Sequence, residues 1–491
     1  MEPKQETPEN PNYKDLPLIQ STQNNSVTYS RFEEIGEGWD GKEIVVRARI
    51  HNSRVKGNAA FLVLRQNMNT LQAVAFKSDQ TPKPMLKFMG GVVNESIVDI
   101  YGKLTATQNE IKKCSIKNYE LQIQKFFVVN RSHNQLPFQM EDALRKYNKN
   151  QTEEENNQEK LATVALKTRL DNRVMDLRTP TNQAIFRVQS AICSYFRQFL
   201  LDKDFVEIHT PKTLGGTSEG GSEVFRFDYF GKNGCLAQSP QLYKQMMIMA
   251  DFEGVFEIGP VFRAENSHTH RHLCEFTGLD MEMQIKEHYF EILEVIGKLF
   301  TYIFKQLSEK KKKELAVINE QFEFEPFIYA EEPVIITFAE GVALLKEAGV
   351  EQSVNEDLDT VNERTLGKLV RQKYKTDFYI LHRYPESARP FYTMLCADDP
   401  NFTCSYDVFM RGQEIISGAQ RIHDPVVLAE RAKAKGIPPA TIQDYIDSFK
   451  FGAYPHGGFG AGMERIVMLY LDLLDVRQTS AFPRDPVRLA P

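Results

Sequence analysis

Five short runs of alternating or β-branched character fill residues 41 to 130 and restrict what this part of the chain can form. They are EIVVRARIH, AAFLVLRQ, LQAVAF, ESIVDIYGKLTA and YELQIQKFFVV, and turn-forming or polar clusters separate them. Alternation with a period of two predicts half-buried β-strands. Five strands in about 90 residues predict a small oligonucleotide-binding β-barrel.

Two polar segments flank this barrel and set the expected domain boundaries. Residues 1 to 30 are rich in Pro, Asn, Gln, Glu and Ser, which predicts a mobile acidic tail. The run NKNQTEEENNQEK at 148 to 160 cannot build a core and indicates a linker. Beyond it, helical and extended patterns alternate to the C-terminus. We therefore expect a tail at 1–30, the barrel at 31–133, a hinge at 134–180 and a second domain at 181–491.

The composition limits the compartment and the partners. The chain has 491 residues and a formal net charge of −6, so any surface that binds a polyanion must be local. The N-terminal segment has neither the apolar core of a signal peptide nor an arginine-rich transit pattern, and no apolar run reaches transmembrane length. The six cysteines form no C-x-x-C pair, which argues against a structural zinc site and a disulfide framework. These features predict a cytoplasmic protein without membrane contact.

Three ordered segments carry the candidate chemistry, although each alone is weak. In the first, apolar residues recur at helical spacing from Pro180 and predict a helix of about 20 residues that leads into FVEIHTPKT. The third, HGGFGAGMERIVMLYLDLL at 456–474, is a glycine-rich turn that enters an apolar helix, where backbone amides and Arg465 could meet an anion. It matches neither the dinucleotide fingerprint nor the P-loop. Tight packing of a helix on a sheet explains its glycines equally well.

The second segment, GPVFRAENSHTHRHLCEFTGLDMEM at 259–283, reads as strand, polar loop and strand. Arg263 and Glu265 share one face of the first strand, and Gly278, Asp280 and Glu282 share one face of the second. This pattern predicts a substrate floor on which Gly278 leaves room for a ligand. A salt-bridge ladder on an exposed sheet is the alternative. The loop also holds three histidines that we expect to contact phosphate or bases, with a zinc site as the other interpretation: His268, His270 and His272.

Together the three segments resemble motifs 1, 2 and 3 of the class II aminoacyl-tRNA synthetases. Further segments look like the aspartyl-tRNA synthetases of the eukaryotic and archaeal kind: GGTSEGGSEVF, LAQSPQLYKQ, YDVFMRGQEIISGAQRIHD and RQTSAFPRDP. The resemblance covers residues from about 40 to 491. It implies an α+β protein with an N-terminal five-stranded OB-fold barrel that binds the anticodon and a C-terminal antiparallel sheet flanked by helices. It also implies a homodimer formed through motif 1.

The activity that this resemblance implies is that of an aspartate–tRNA ligase for cytosolic translation. Such an enzyme uses ATP and Mg²⁺ to activate L-aspartate as aspartyl-adenylate and then transfers the aspartyl group to the 3′ end of tRNA(Asp). The substrate carboxylate supplies the nucleophile. The protein therefore needs to position the reactants and to compensate charge on the phosphates.

The resemblance also implies roles for individual residues. The expected catalytic residues are Arg263, Glu414 and Arg465. The expected ATP-binding residues are Arg263, Ala264, Glu265, Arg271, His272, Leu273, Phe276, Glu414, Gly462, Met463, Glu464 and Arg465. The expected aspartate-binding residues are Glu219, Gln241, Lys244, Asp280, Ser417 and Arg421, of which Lys244 and Arg421 hold the side-chain carboxylate. The expected magnesium ligands are Asp407, Glu414 and Ser417. In the barrel, Phe61 is expected to stack on an anticodon base and Gln72 to hydrogen-bond to one.

Several rival functions share part of this pattern. Asparaginyl-tRNA synthetase has the same fold and ATP site, but the cation of Lys244 favours a carboxylate over an amide; lysyl-tRNA synthetase is more distant. A catalytically inactive paralogue that only binds tRNA is disfavoured by the intact Arg263, Glu414 and Arg465. An asparagine synthetase on the same fold is disfavoured by the attached barrel. One departure stands out: several eukaryotic relatives carry a lysine-rich extension that helps hold tRNA, whereas residues 1–40 here hold three basic and eight acidic residues. We therefore expect the barrel and the catalytic domain to bind tRNA without help from this segment.

Overall fold

The computed structural model of the chain describes residues 12–22, 26–146, 163–215, 224–267 and 269–491. By their contacts the residues divide into two units. The first contains Met1–Arg145 and Gln151–Gln183, and the second contains Lys146–Asn150 and Ala184–Pro491. The described residues of the predicted hinge beyond 162 therefore belong to the first unit. The whole polar run at 148–160, together with Glu219 and His268, lies outside the described residues.

The first unit is built on a closed five-stranded barrel, as predicted. Its strands follow the order β6-β4-β3-β2-β5, and pairing of β5 with β6 closes the barrel. An additional short strand, β1, lies parallel to β6 within the segment that the sequence predicts to be a mobile tail. The strands are β1 Tyr13–Asp15, β2 Glu43–Lys56, β3 Ala59–Gln66, β4 Asn69–Phe76, β5 Ile97–Ala106 and β6 Tyr119–Asn130. The helices are α1 Lys83–Gly90, α2 Met140–Ala143, α3 Leu166–Asp171 and α4 Arg173–Asp176.

The period-two alternation of the sequence decides which side of each barrel strand is buried. On β3, Ala60, Leu62 and Leu64 are completely buried, whereas Phe61 between them is 41% exposed. The inward side chains of the five strands and of α1 form one apolar core. The outward side chains of β3 and β4 therefore do not belong to this apolar core.

A long helix, α5 Pro180–Leu201, belongs to the second unit from Ala184 onward, and its length matches the predicted motif 1 helix. Ile185, Val188, Ile192 and Phe196 are fully buried, which is the face that the helical spacing predicts. The ring of Phe196 packs edge-on against Phe459 of the central sheet. Burial of this stripe fixes α5 across the sheet that carries the site.

The second unit has an eight-stranded sheet in the order β13-β14-β15-β16-β17-β12-β11-β7. Its six central strands are antiparallel, and the edge strands β13 and β7 are parallel to their neighbours. Three short strands, β8 Thr213–Leu214, β9 Arg226–Tyr229 and β10 Lys232–Leu236, form a separate small sheet. The remaining strands are β7 Val206–Glu207, β11 Gly254–Phe262, β12 Glu275–Gln284, β13 Val334–Thr337, β14 Phe378–His382, β15 Ser405–Met410, β16 Gln413–Gln420 and β17 His456–Gly462.

Helices flank this sheet, so the predicted α+β class is confirmed. They are α6 Gln241–Met249, α7 Phe290–Lys310, α8 Lys312–Gln321, α9 Phe338–Glu347, α10 Thr360–Tyr374, α11 Pro425–Ala434, α12 Gln443–Ser448 and α13 Met463–Tyr470. In α7, Phe300 stacks on Phe378 of β14, which fixes this helix on the sheet. Within the part of the chain that the structure describes, no helix combines the length and apolar character needed to cross a bilayer.

Candidate active site

A cavity of about 700 Å³ lies on the central strands of the second unit. It brings together most of the residues expected to bind a nucleotide and an amino acid: Arg263, Glu265, Arg271, His272, Leu273, Phe276, Gly462, Glu464, Arg465, Gln241, Asp280, Glu414, Ser417 and Arg421. Four other expected residues do not line it: Ala264, Met463, Lys244 and Asp407. Glu219 cannot be placed, because it lies outside the described residues.

The floor of the cavity is a ladder in which acids face glycines. On β12, Asp280 is paired with Gly460 of β17, and Glu282 is paired with Gly458. A Cβ atom at Gly460 would lie 2.9 Å from the Asp280 carboxylate. The glycines of this segment therefore make room for acidic side chains. The sequence pattern alone does not decide whether they serve the approach of a ligand or the packing of a helix.

Gly278 has the same effect within strand β12. A Cβ atom there would lie 2.7 Å from Oδ2 of Asp280 and 2.9 Å from Val261. Gly278 is predicted to leave room for a ligand above the sheet. In the structure it leaves room for the carboxylate of Asp280, which lines the cavity.

Two arginines face the end of the cavity expected to hold the nucleotide. The Arg263 guanidinium lies 5.5 Å from the centre of the Phe276 ring, and its buried Nε has no hydrogen-bond partner among the described residues. Arg465 is anchored through Nη1 to the carbonyl oxygen of Glu414 and through Nη2 to that of Arg271. Burial lowers the pKa of Arg465. Anchored or unpaired guanidinium groups of this kind favour a bound polyanion.

Side chains of the motif 2 loop contact helix α10. Arg271 donates to Oγ1 of Thr360 over 2.6 Å and lies 3.5 Å from a carboxylate oxygen of Glu363. His270 is bonded to Arg364, and His272 is bonded to Thr269. The structure describes no group of three side chains suited to a metal in residues 12–22, 26–146, 163–215, 224–267 and 269–491. His268, the first of the three loop histidines, lies outside the described residues.

Glu464 lies beneath the nucleotide end and holds the strand. Both of its carboxylate oxygens accept from the backbone N–H of Thr277, at 3.2 and 3.0 Å. Burial raises the pKa of Glu464 to about 7, against the lowering effect of these hydrogen bonds. Its contacts are therefore with β12, although it also lines the cavity.

Lys244 differs from the expectation that it contacts the substrate side chain. Its side chain is 1% exposed, and Nζ donates to the carbonyl oxygens of Phe459 at 2.7 Å and Met281 at 3.3 Å. Nζ also lies 3.2 Å from Asp280 and 3.5 Å from Glu282. The lysine thus lies beneath the floor and neutralises two acids. The sequence could not reveal this, because the acceptors come from strands far along the chain.

Arg421 is the cation that does reach the cavity at the amino-acid end. Nε donates to Glu282 over 2.9 Å, and Nη2 donates to Gly458 O over 2.8 Å and to Gln241 Oε1 over 3.2 Å. Nη1 makes no hydrogen bond to any described residue. Burial would raise the pKa of Glu282, but Arg421 and Lys244 outweigh it and hold that pKa below its ordinary value. Arg421 is therefore held at the cavity wall through Nε and Nη2.

Two of the expected magnesium ligands, Asp407 and Ser417, are bonded to an arginine. Arg389 donates to both carboxylate oxygens of Asp407, at 2.9 and 2.7 Å, and to Oγ of Ser417 at 2.8 Å. Its guanidinium also lies 3.9 Å from the centre of the Tyr384 ring. Two of the three expected ligands are thus held by an arginine that the sequence analysis did not single out, since no local pattern marks it.

Glu414, the third expected ligand, faces the cavity. Burial and the neighbouring carboxylate of Asp407 raise its pKa to about 8. Burial also raises the pKa of Glu363 to about 7, although Arg271 lies beside it. Two acids with raised pKa values near a cavity indicate a place where added positive charge would be favourable. Glu363 is a second residue that the sequence analysis missed.

The barrel carries the two residues expected to contact the anticodon. Phe61 on β3 is 41% exposed, and Gln72 on β4 donates to Glu120 of β6 over 3.0 Å. Strands β3 and β4 are adjacent, so both side chains lie on the outward face of one sheet. Glu120 joins this face without having been predicted.

Comparisons with known proteins match both units. A family model for class II tRNA synthetases (D, K and N) matches residues 165–486, and one for an OB-fold nucleic acid binding domain matches residues 44–129. The cytoplasmic aspartate–tRNA ligase of Homo sapiens is 53% identical over 446 residues, 91% of this chain and 88% of the relative. An aspartyl-tRNA synthetase structure from Entamoeba histolytica has a TM-score of 0.90 at 45% identity, covering 99% and 98% of the two chains. An asparaginyl-tRNA synthetase structure from Pyrococcus horikoshii, complexed with asparaginyl-adenylate, reaches 0.80 at 27% identity, covering 95% and 100%.

Proposed function

The chain belongs to the class II tRNA synthetases of the aspartate, lysine and asparagine group, and from this premise we propose how its residues perform the reaction of an aspartate–tRNA ligase. The enzyme uses ATP to activate L-aspartate and transfers the aspartyl group to tRNA. The observation that carries the proposal is that one cavity holds the residues expected for the nucleotide and those expected for the amino acid.

In the first step an oxygen of the aspartate α-carboxylate attacks the α-phosphorus of ATP, and pyrophosphate leaves. Arg263 contacts the α-phosphate, because its guanidinium faces the cavity beside Phe276. Arg465, anchored by two carbonyl oxygens, compensates charge on the other phosphates. Phe276 stacks on the adenine. Preorganised charges stabilise the transition state because they need no rearrangement during the reaction.

Arg421 selects the side-chain carboxylate of aspartate through its available Nη1. Glu282 and Gln241 hold the rest of the guanidinium in place. Asp280 contacts the substrate ammonium. The Nε2 atom of Gln241 is buried without a partner in the described structure, so it offers a donor that suits a carboxylate oxygen rather than the ammonium. Glu219 is proposed for the ammonium side by resemblance alone.

Glu414 is the residue best placed to hold magnesium, because it is a carboxylate that faces the cavity and whose pKa is raised. The cation would neutralise phosphate charge when bound, and oxygen ligands suit it. Asp407 and Ser417 are available as further ligands only where Arg389 releases them.

In the second step a ribose hydroxyl at the 3′ end of tRNA(Asp) attacks the carbonyl of the adenylate. The OB-fold barrel contributes recognition of the anticodon. Phe61 stacks on one base and Gln72 hydrogen-bonds to another. The exposure of Phe61 supports this role, since a phenylalanine needed for the core would be buried.

The enzyme acts in the cytoplasm, as the name of the human relative indicates for that protein, and it forms a homodimer. Apolar side chains at the end of the motif 1 segment support a dimer: Leu201 is 46% exposed, and Val206 on the sheet-edge strand β7 is 42% exposed. Light scattering should give twice the 56.5 kDa of one chain. A monomer at micromolar concentration would contradict this part of the proposal.

The complete function is tested by charging tRNA(Asp) with labelled aspartate, ATP and Mg²⁺. The expected result is an ester-linked aspartyl group on the 3′ end and AMP and pyrophosphate as products. A purified, folded protein that charges a lysine tRNA with lysine instead would overturn the substrate assignment. Failure to activate any amino acid would support an inactive tRNA-binding paralogue.

A further inference from the structure

A second phenylalanine lies exposed on the outward face of the barrel next to Phe61. Phe76, the last residue of β4, is 53% exposed. Its ring centre lies 5.9 Å from that of Phe61, and the two ring planes meet at 88°. Their edge-to-face contact leaves a large part of both rings open to solvent. Adjacent exposed apolar side chains that are bordered by polar residues are typical of interaction sites.

The barrel core does not need Phe76. Residues 71, 73 and 75 of β4 point inward and are fully or almost fully buried, so the period of two sends residue 76 outward. Val74 pairs with Phe61, and Phe76 pairs with Ala59, which places both rings on one face. Val74 is 1% exposed and forms an apolar base between them.

Positive charge and hydrogen-bonding groups border the two rings. Arg54 on β2 pairs directly with Phe61, and Lys56 pairs with Ala59; both are exposed. Lys77 follows Phe76 in the chain and is also exposed. Gln72 and Glu120 lie on the other side of Phe61. Aromatic rings bordered by cations are the features with which proteins bind unpaired bases and the backbone that joins them.

We propose that Phe76 is a second stacking platform for an unpaired base of the tRNA, beside the base held at Phe61 and Gln72. The inference rests on the proposed function of the barrel as the anticodon-binding unit and extends it to one more nucleotide. The basic side chains of Arg54, Lys56 and Lys77 contact the intervening phosphates. Because every base has a π face, this platform contributes affinity more than choice of sequence.

Variants of the full-length enzyme test the proposal through the dissociation constant for a tRNA(Asp) transcript. Phe76→Ala should weaken binding about tenfold, within the range that stacking on an aromatic contributes. Phe76→Leu keeps an apolar side chain without a π face and should be weakened similarly. Phe76→Trp should bind within about twofold of the wild type. Its fluorescence should be quenched when tRNA is added, beyond the change given by Trp39 in the wild type.

Controls separate this inference from the proposed function. Phe451, in the second unit, is 92% exposed, and Phe451→Ala should leave tRNA binding unchanged. Phe61→Ala should weaken binding if the barrel recognises the anticodon. Weakening by Phe61→Ala but not by Phe76→Ala or Phe76→Leu would overturn the second platform alone. No weakening by either alanine variant would overturn both. A lower unfolding temperature for Phe76→Ala, with Phe76→Leu restoring tRNA binding, would assign Phe76 to packing and also overturn the inference.

Discussion

Nε of Arg421 donates to Oε1 of Glu282 across 2.9 Å, so a fully buried carboxylate anchors the guanidinium that faces the amino-acid end of the cavity. Glu282 also lies 3.5 Å from Nζ of Lys244. Two cations and two acids, counting Asp280, thus form one buried network. Hydrogen bonds to its Nε and Nη2 atoms hold Arg421 in this network, and the residue lines the cavity.

Glu282→Gln should therefore impair recognition of aspartate more than binding of ATP. The amide keeps the shape of the side chain but loses the charge that balances Arg421 and Lys244. Because buried charges without a partner are unfavourable, the side chain of Arg421 should move from its position in the cavity wall. We expect KM for aspartate to rise at least about tenfold, while KM for ATP changes less than about threefold. Pyrophosphate exchange gives both constants. Equal changes in both would indicate a general disturbance of the fold.

Lys244→Met should destabilise the second unit rather than change the substrate preference. The variant removes the cation from Asp280 and Glu282 beneath the floor, and loss of one partner from a buried pair costs about 3 to 5 kcal/mol. Denaturant unfolding measures this loss. Lys298→Met is the matched control, because Lys298 pairs with Glu294 on the surface, and its loss should leave the free energy of unfolding almost unchanged. Unchanged stability of Lys244→Met with complete loss of aspartate activation would favour direct contact with the substrate.

Glu414→Gln should make the ligand-free enzyme more stable at high pH. The pKa of this carboxyl is raised from 4.5 to about 8, so between these values the native state holds a proton that the unfolded chain lacks. Stability therefore falls as the pH rises from about 4.5 to about 8. The variant should unfold at a higher temperature than the wild type at pH 9, and the difference should shrink towards zero below pH 4.5. It should also lose most pyrophosphate exchange.

The Glu414 prediction has a clear contrary outcome. Equal unfolding temperatures of variant and wild type at pH 9 would mean that the carboxyl is already ionised without cost. A cation bound together with the nucleotide would then not relieve any cost of ionising Glu414.

Arg263→Ala should reduce the rate of adenylate formation about 10²- to 10³-fold, as for loss of a comparable donor to a transition state. The variant should keep its unfolding temperature, because the guanidinium lies in the cavity and its Nε has no partner among the described residues. Arg226→Ala, on the exposed strand β9, is the control and should keep full exchange. Near-normal exchange by Arg263→Ala would remove this residue from the α-phosphate.

Much of the architecture follows from local patterns. Alternation predicts the five barrel strands, and the spacing of Ile185, Val188, Ile192 and Phe196 predicts α5, because in both cases one face must be buried. The segment at 13–15 forms a strand that its polar composition does not predict, since its pairing with β6 consists of backbone hydrogen bonds. The three sequence motifs, taken in order, also predict most of the residues that line the cavity.

Partners within the site are less predictable, because they depend on contacts between distant segments. Lys244 reaches Phe459, 215 positions later, and Arg389 reaches Asp407 and Ser417. A sequence identifies such side chains as charged, but not which acid or carbonyl oxygen each will meet. This is why Lys244 was expected in the pocket and Arg389 was not expected at all.

Selection of aspartate by the fixed cation of Arg421 can be measured by pyrophosphate exchange with aspartate and with asparagine. The two substrates have almost the same size, so charge must discriminate between them. A pocket built to pair with one polar group rejects an analogue that leaves it unpaired by about 10⁴-fold or more in kcat/KM. We predict such a preference for aspartate in the wild type and its collapse in Arg421→Ala through loss of aspartate activation. Comparable wild-type use of asparagine, or an unchanged preference in Arg421→Ala, would mean that this cation does not select the substrate side chain.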